Sequence, residues 1–226
     1  MEACPPDGRP ELRIHATRHA NRPECLWKRP LDLLLGAVAA FALSPLIATL
    51  ALLVRLESGS PVFFRQERIG QDGRPFRIWK FRSMYTDSDD HRHRVAASAW
   101  FAAQPTNGGY KSAGDPRITP FGAFLRKTSL DELPQLFNVL SGEMSLVGPR
   151  PGIAYELDHY LPWYFERQVV KPGMTGLWQV SGRDRLSADE MMRLDVRYVR
   201  ERTLWLDLKI LTLTVPALMG RFATAE

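Results

Sequence analysis

Cysteine is almost missing from this chain: Cys4 and Cys25 are the two in 226 residues. Two thiols without C-x-x-C spacing exclude a disulfide framework and a cysteine zinc site, and they place the chain in a reducing compartment, the cytosol. Also missing, from the chain's glycine-bearing stretch, is the Lys-Ser/Thr pair of a P-loop. Residues 173–183 carry Gly173, Gly176 and Gly182 like a phosphate cradle but lack that pair, which excludes P-loop hydrolysis of nucleoside triphosphates. No internal repeat is present. Most telling, charge is absent from residues 33–54, where 22 consecutive residues are uncharged. No small-residue cleavage site follows that run, which excludes a cleaved signal peptide.

What is present explains the run. A hydrocarbon core about 30 Å thick needs roughly 20 apolar helical residues, so residues 33–54 are long enough to cross. Ser44-Pro45 sits at their centre. Pro45 has no N–H, so it leaves the Phe41 carbonyl four residues back without its helical donor, and a break is expected there. The Ser44 hydroxyl is placed to satisfy a backbone group freed at such a bend. Both flanks are basic: Arg22, Lys28 and Arg29 precede the run, and Arg55, Arg65, Arg68, Arg74, Arg77, Lys80 and Arg82 follow it. Basic flanks resist export. A helix that enters, bends at Ser44-Pro45 and returns keeps both on the cytoplasmic side. A kinked span and a buried core helix are the alternatives.

The net charge of +5 suits anionic headgroups or a polyphosphate substrate, and equally nucleic acid. Residues 1–30 hold five prolines and no apolar period, the mark of a loose tail. The expected organisation is a tail over 1–27, a re-entrant membrane helix over 28–57 and one cytosolic globular unit over 58–226. A β-hairpin is predicted from residues 62–64 and 76–81 around Asp72-Gly73. Short helices are expected at 96–103 and 121–126. Longer helical patterns cover 157–170, 188–202 and 204–218, and a loop with a short strand covers 171–185. The last helix offers Trp205 and its leucines either to a bilayer interface or to the core, with Asp207 and Lys209 on the opposite side. The fold class is therefore α+β, mainly helical.

Residues 129–135 (SLDELPQ) are the sharpest local signal. Ser129 with Glu132 fits a capping box. With Asp131 as the cap instead, Pro134 falls harmlessly in the first turn; Gly142 ends the helix either way. Asp131 and Glu132 then stand beside Arg126 and Lys127, and carboxylates beside cations suit phosphoryl transfer: one as nucleophile, the other holding a divalent cation. Plain helix capping is the alternative. Arg150, stiffened between Pro149 and Pro151, can present a guanidinium to a phosphate or simply mark a surface turn. On a strand, Lys80 shares a face with Phe76 and Ile78, which points its cation to a phosphate or lets it snorkel. Asp87, Asp89, Asp90, His91 and His93 match no metal-ligand spacing, and a solvated loop accounts for them.

Together these stretches resemble the bacterial sugar transferase family, the monotopic polyprenyl-phosphate phosphoglycosyl transferases. The resemblance is carried by KRPLD at 28–32, KFRSM at 80–84, DPRIT at 115–119, LRKTSLDELPQLFNVL at 125–140, GEMSLVGPRP at 142–151, GMTGLWQVSGR at 173–183 and LDVRYV at 194–199. It implies transfer of a hexose 1-phosphate from a UDP-sugar to undecaprenyl phosphate with release of UMP, the first membrane step of surface-glycan or exopolysaccharide synthesis. It further implies that Asp131 forms a phosphosugar ester, that Glu132 partners it in holding Mg²⁺ or positioning phosphates, and that Lys80 and Arg126 meet phosphate. Arg150 and Arg183 are implied for the nucleotide or diphosphate. The family's membrane element is a re-entrant helix broken at Ser-Pro, as at Ser44 and Pro45 here, with the catalytic domain on the cytoplasmic face of the bacterial inner membrane. Larger members carry several spans first; this length implies the short, exopolysaccharide-type form, with glucose or galactose as the sugar. The other readings are a Mg²⁺-dependent nucleic-acid enzyme, which has no use for a lipid-embedded helix, and a non-enzymatic membrane scaffold.

Overall fold

A computed structural model describes residues 25–85, 91–102 and 115–219, without the side chains of residues 91–93 and 184. Residues 1–24 of the expected tail, the acidic residues at 87–90 and the expected loop at 104–114 lie outside the described residues. The chain is mainly helical, with a small hairpin and one long apolar helix near its start.

That helix, α1 (Lys28–Ser58), runs unbroken with Pro45 inside it, where the sequence reading has two arms. The physical reason is local repair. Ser44 Oγ donates to the Phe41 carbonyl at 2.7 Å, the acceptor that Pro45 strands, and Thr49 Oγ1 donates to the Pro45 carbonyl at 2.9 Å. At 1.5 Å per residue, 31 residues extend about 46 Å. The helix is long and apolar enough to cross a membrane, and only 11% of its most apolar 18-residue window is buried, so it is not a core helix. Leu34, Val38, Phe41, Leu52 and Leu56 are exposed.

Both ends of α1 are fastened to the rest of the chain. At the start, Lys28 pairs with Asp207, Arg29 donates to the Val139 and Leu140 carbonyls at 2.6 and 3.0 Å, and Asp32 accepts from Ser145 Oγ and the Leu146 N–H, both at 3.0 Å. At the end, Arg82 donates to the Gly59 carbonyl at 2.7 Å and to Ser58 Oγ at 2.9 Å. Between these anchors Leu50 and Val54 pack against Phe81 and Leu125.

The hairpin pairs β1 (Phe63–Ile69) with β2 (Pro75–Phe81), Phe63 opposite Phe81 and Ile69 opposite Pro75. Its turn needs left-handed backbone, supplied by Asp72 (φ 55°) and Gly73 (φ 73°). Then come α2 (His91–Phe101), α3 (Pro120–Thr128), a 3₁₀ turn at Leu130–Gln135 and α4 (Leu136–Ser141). Thr119 caps α3 by accepting from the Gly122 N–H at 2.9 Å, and Gly142 (φ 89°) ends α4. Two short parallel strands, β3 (Ser145–Val147) and β4 (Gly173–Thr175), meet at the centre. Their approach is so close that a Cβ on Gly173 would lie 2.0 Å from the Gly148 nitrogen.

Residues 157–170 depart from the single helix expected there, forming 3₁₀ segments Ala154–His159 and Pro162–Val169. Pro162 lacks an N–H and holds Leu161 extended (ψ 153°). The chain closes with α5 (Leu177–Ser181), α6 (Ala188–Glu201) and α7 (Leu204–Leu218). Asp207 also departs from expectation: it is fully buried, bonded to Lys28 and to Tyr198 Oη at 2.8 Å. Of the two roles weighed for α7, core packing is seen, with Ile210 and Ala217 in the main core, and Trp205 is 79% exposed. That core gathers Ile78, Leu136, Val139, Met144, Val147, Tyr198 and Val199. Burying a side chain of that size contributes about 1.5–3 kcal/mol.

Candidate active site

The hairpin presents one face inward. Opposed residues share a face, so Phe64, Gln66 and Arg68 of β1 line up with Lys80, Ile78 and Phe76 of β2. Lys80 Nζ reaches Glu132 Oε1 at 2.7 Å, with both side chains partly open to solvent. Glu132 and Asp131 lie on the 3₁₀ turn after α3. Ser129, in the left-handed region (φ 58°), ends α3 and starts that turn, and it makes no side-chain cap. The capping box expected of Ser129 and Glu132 is thus absent; the Glu132 carboxylate faces Lys80 instead. Pro134 lies inside the 3₁₀ turn. Asp131 is 8% exposed.

A cleft of about 290 Å³ is lined by Lys80, Glu132, Gln135, Arg150, Arg68 and Gln179. A second cavity of about 400 Å³ adjoins it, lined by Trp100, Arg150, Glu156, Arg167, Trp178 and Arg183 among others. Arg150 lines both. The structure therefore brings Lys80, Glu132 and Arg150 together. It sets Arg183 close by, its Nη2 donating to Ser129 Oγ at 2.6 Å. Arg126, in the last turn of α3, lines neither cavity.

The turn bearing Arg150 is held carbonyl by carbonyl. Gly173 N–H donates to Pro149 O at 2.8 Å, Arg167 Nη2 to Arg150 O at 2.6 Å, Arg68 Nη1 to Pro151 O at 3.3 Å, and Ile69 N–H to Gly152 O at 2.8 Å. Arg167 is itself buried. It also donates to Asp195 Oδ2 at 2.5 Å and to Tyr160 Oη at 2.6 Å. Burial works against the Arg167 cation, but Tyr160, Asp195 and Glu156 more than offset it and hold the guanidinium above its usual range. Burial pushes the Asp195 carboxyl up to about 6 while Arg167 pulls the other way, and it pushes the Tyr160 phenol up to about 12.

Sequence reasoning missed Arg167, Asp195 and Tyr160. They sit in stretches that read as ordinary helix, and no local spacing links positions 160, 167 and 195. Trp178 and Gln179 lay inside a motif read for its glycines. The carboxylates fit the magnesium ion that the resemblance implies. Mg²⁺ is ordinarily held by one or two carboxylates with substrate phosphates and waters, and Asp131-Glu132 offers two. Among the described residues no group of three or more His, Cys, Asp or Glu side chains forms a protein-only cage. With Arg68, Lys80, Arg150 and Arg183 around it, the site attracts polyanions.

One long apolar helix, an acidic pair and a group of cations stand together in this structure, and comparison with known proteins gives the chain a family. The family model for bacterial sugar transferases matches residues 23–221; the chain belongs to the bacterial sugar transferase family. It is 43% identical over 216 residues to the UDP-galactose-lipid carrier transferase of Erwinia amylovora, covering 93% of this chain and 44% of that protein. It is 42% identical over 202 residues to the undecaprenyl-phosphate galactose phosphotransferase of Salmonella typhimurium, covering 89% and 42%. With the exopolysaccharide production protein ExoY of Rhizobium meliloti it shares 41% over 193 residues, 84% of each. The chain thus spans less than half the length of the first two relatives and most of the third.

Proposed function

We propose that this chain transfers a hexose 1-phosphate, galactose or glucose, from a UDP-sugar to undecaprenyl phosphate and releases UMP. The observation that carries the reading is the meeting of Lys80, Glu132 and Arg150 around one cleft, with Asp131, largely buried and outside the cleft's lining, the residue before Glu132 on the same turn. An Asp131 carboxylate oxygen attacks the sugar-bearing phosphorus. The bond from that phosphorus to the bridging oxygen breaks, and UMP leaves with the oxygen and its electron pair. A lipid-phosphate oxygen then attacks the same phosphorus, the bond to Asp131 breaks, and the carboxylate is regenerated. Two displacements at one carboxylate need a single phosphate site, used in turn by nucleotide and lipid. Lys80 and Arg150 bind and orient the diphosphate and offset charge as the carboxylate approaches. Glu132 orients Lys80 and, with Asp131, would hold Mg²⁺. When bound, that ion neutralises phosphate charge.

The membrane side of the proposal is that α1 enters and leaves the cytoplasmic face of the inner membrane, keeping the catalytic residues at the depth of a lipid phosphate. It is supported by the fastening of both ends of α1 to one domain and by the exposure of Leu34, Val38 and Phe41. Any bending of α1 centres on Ser44-Pro45.

The purified chain with Mg²⁺, undecaprenyl phosphate and UDP-glucose or UDP-galactose is expected to release UMP, and its absence with every sugar nucleotide tried overturns the enzyme reading. Topology is checked separately. With Cys4 and Cys25 replaced by Ser, single cysteines at positions 20 and 60 are expected to be shielded alike from an impermeant thiol reagent outside intact cells. Labelling of one and not the other overturns the re-entrant helix but leaves the chemistry standing.

A further inference from the structure

Trp178 and Gln179 are consecutive residues of α5, and each carries a buried polar atom with no hydrogen-bond partner among the described residues: the Trp178 indole N–H and Gln179 Oε1. Such an atom costs about 1–3 kcal/mol while unpaired, which is recovered if a ligand supplies the partner. The two side chains line different cavities. Gln179 lines the cleft of Lys80 and Glu132. Trp178, only 5% exposed, lines the larger cavity with Trp100, Leu186, Arg150 and Arg183.

The division matches the two halves of a nucleoside diphosphate sugar, and the argument rests on the transfer reading above. When the diphosphate breaks, negative charge grows on the oxygen that leaves with the nucleotide. Cations act most strongly where charge develops. Arg183 lines the larger cavity alone, Arg150 lines both, and Arg183 is fixed through Ser129, two residues before Asp131. Lys80, on the other side, is engaged by Glu132. Beside the Arg150 and Arg183 that the resemblance already implies for the nucleotide, we propose that the larger cavity takes the base of the departing nucleoside monophosphate: Trp100 and Leu186 supply an apolar wall, and the Trp178 N–H donates to a carbonyl oxygen of a pyrimidine. The sugar half stays in the cleft, where Gln179 Oε1 accepts from a hydroxyl.

Calorimetric titration of the full chain in lipid nanodiscs with UMP, ribose 5-phosphate and glucose 1-phosphate tests this. Trp178→Phe keeps a ring and removes the N–H; UMP affinity is expected to fall about tenfold, the effect of one buried hydrogen bond, with the other two ligands within about twofold of wild type. Leu186→Trp, at a half-buried position that lines the cavity, leaves Trp178 in place while adding bulk to the wall and is expected to weaken UMP at least as much. It decides the matter if Trp178→Phe does not fold. Should both variants bind UMP like wild type, the subsite assignment falls while the transferase reading stands. If glucose 1-phosphate weakens instead of UMP, the two halves are reversed and the assignment also falls. A wild-type chain that neither binds nor releases UMP sinks the transferase reading itself.

Discussion

Asp131→Asn is expected to lower UMP release at least about 10⁴-fold, the scale on which removing a covalent nucleophile acts. The substitution changes one oxygen to an amide nitrogen at a residue that is 8% exposed, so volume is kept and the melting temperature stays near that of wild type. An amide is a far poorer nucleophile toward phosphorus than a carboxylate. The first displacement is therefore lost, while binding of the sugar nucleotide through Lys80 and Arg150 persists. Mass spectrometry of the wild-type chain quenched during turnover is expected to find a hexose-phosphate adduct on the peptide containing residue 131, and none in the variant. A scaffold reading makes the opposite forecast, with full function kept in Asp131→Asn. Turnover by the variant at a wild-type rate would remove Asp131 from the mechanism, whatever the family.

The second large effect is on stability. Arg167→Met removes one partner of a buried ion pair and strands Asp195, which is expected to cost about 3–5 kcal/mol, a large share of the roughly 5–15 kcal/mol that holds a domain together. The sign of its pH dependence follows from the carboxyl. Burial already pushes Asp195 up to about 6 with Arg167 opposing; without Arg167 it moves higher still. A carboxyl raised in the folded state binds its proton more tightly there than in the unfolded chain. The stability it contributes is present at acid pH and is lost as pH rises through the folded value. The melting temperature of Arg167→Met is thus expected to keep falling from about pH 5 to about pH 8, whereas the wild-type contribution from Asp195 levels off above about pH 6. Equal pH slopes in the two proteins would refute the pairing. The Arg150 carbonyl also loses its donor, so kcat/KM for the UDP-sugar is expected to fall further than the folded fraction explains. Arg167→Lys, which keeps a cation, should restore part of it.

Elements governed by neighbours in the chain were legible in advance. The Asp72-Gly73 turn closes the hairpin because those two residues take positive φ. Alternation along β2 put Lys80 on the face of Phe76 and Ile78, and Glu132 meets it there. A proline at 45 must orphan the carbonyl at 41, and the serine beside it answers that need. Where the reading failed, a distant partner intervened. Asp207 looked like the polar side of an amphipathic helix, but Lys28, at the other end of the chain, follows it into the interior. Ser129 looked like a cap, but the chain turns through the left-handed region there and its hydroxyl accepts from Arg183.

By itself the sequence determined the long uncharged run, the hairpin, the acidic pair and the family they spell out, because each depends on residue type at short spacing. Tertiary structure alone decided which cations gather at the acidic pair. A side-chain cation reaches only a few ångströms; Lys80, Glu132 and Arg150 meet at one cleft, and Arg183 comes to Ser129, through strands and turns whose contacts span dozens of residues. The same long-range packing buries Arg167 with Asp195 beneath the Arg150 turn and leaves the Trp178 N–H without a partner among the described residues. Such facts depend on which surfaces exclude water together, and no local pattern in the chain encodes that.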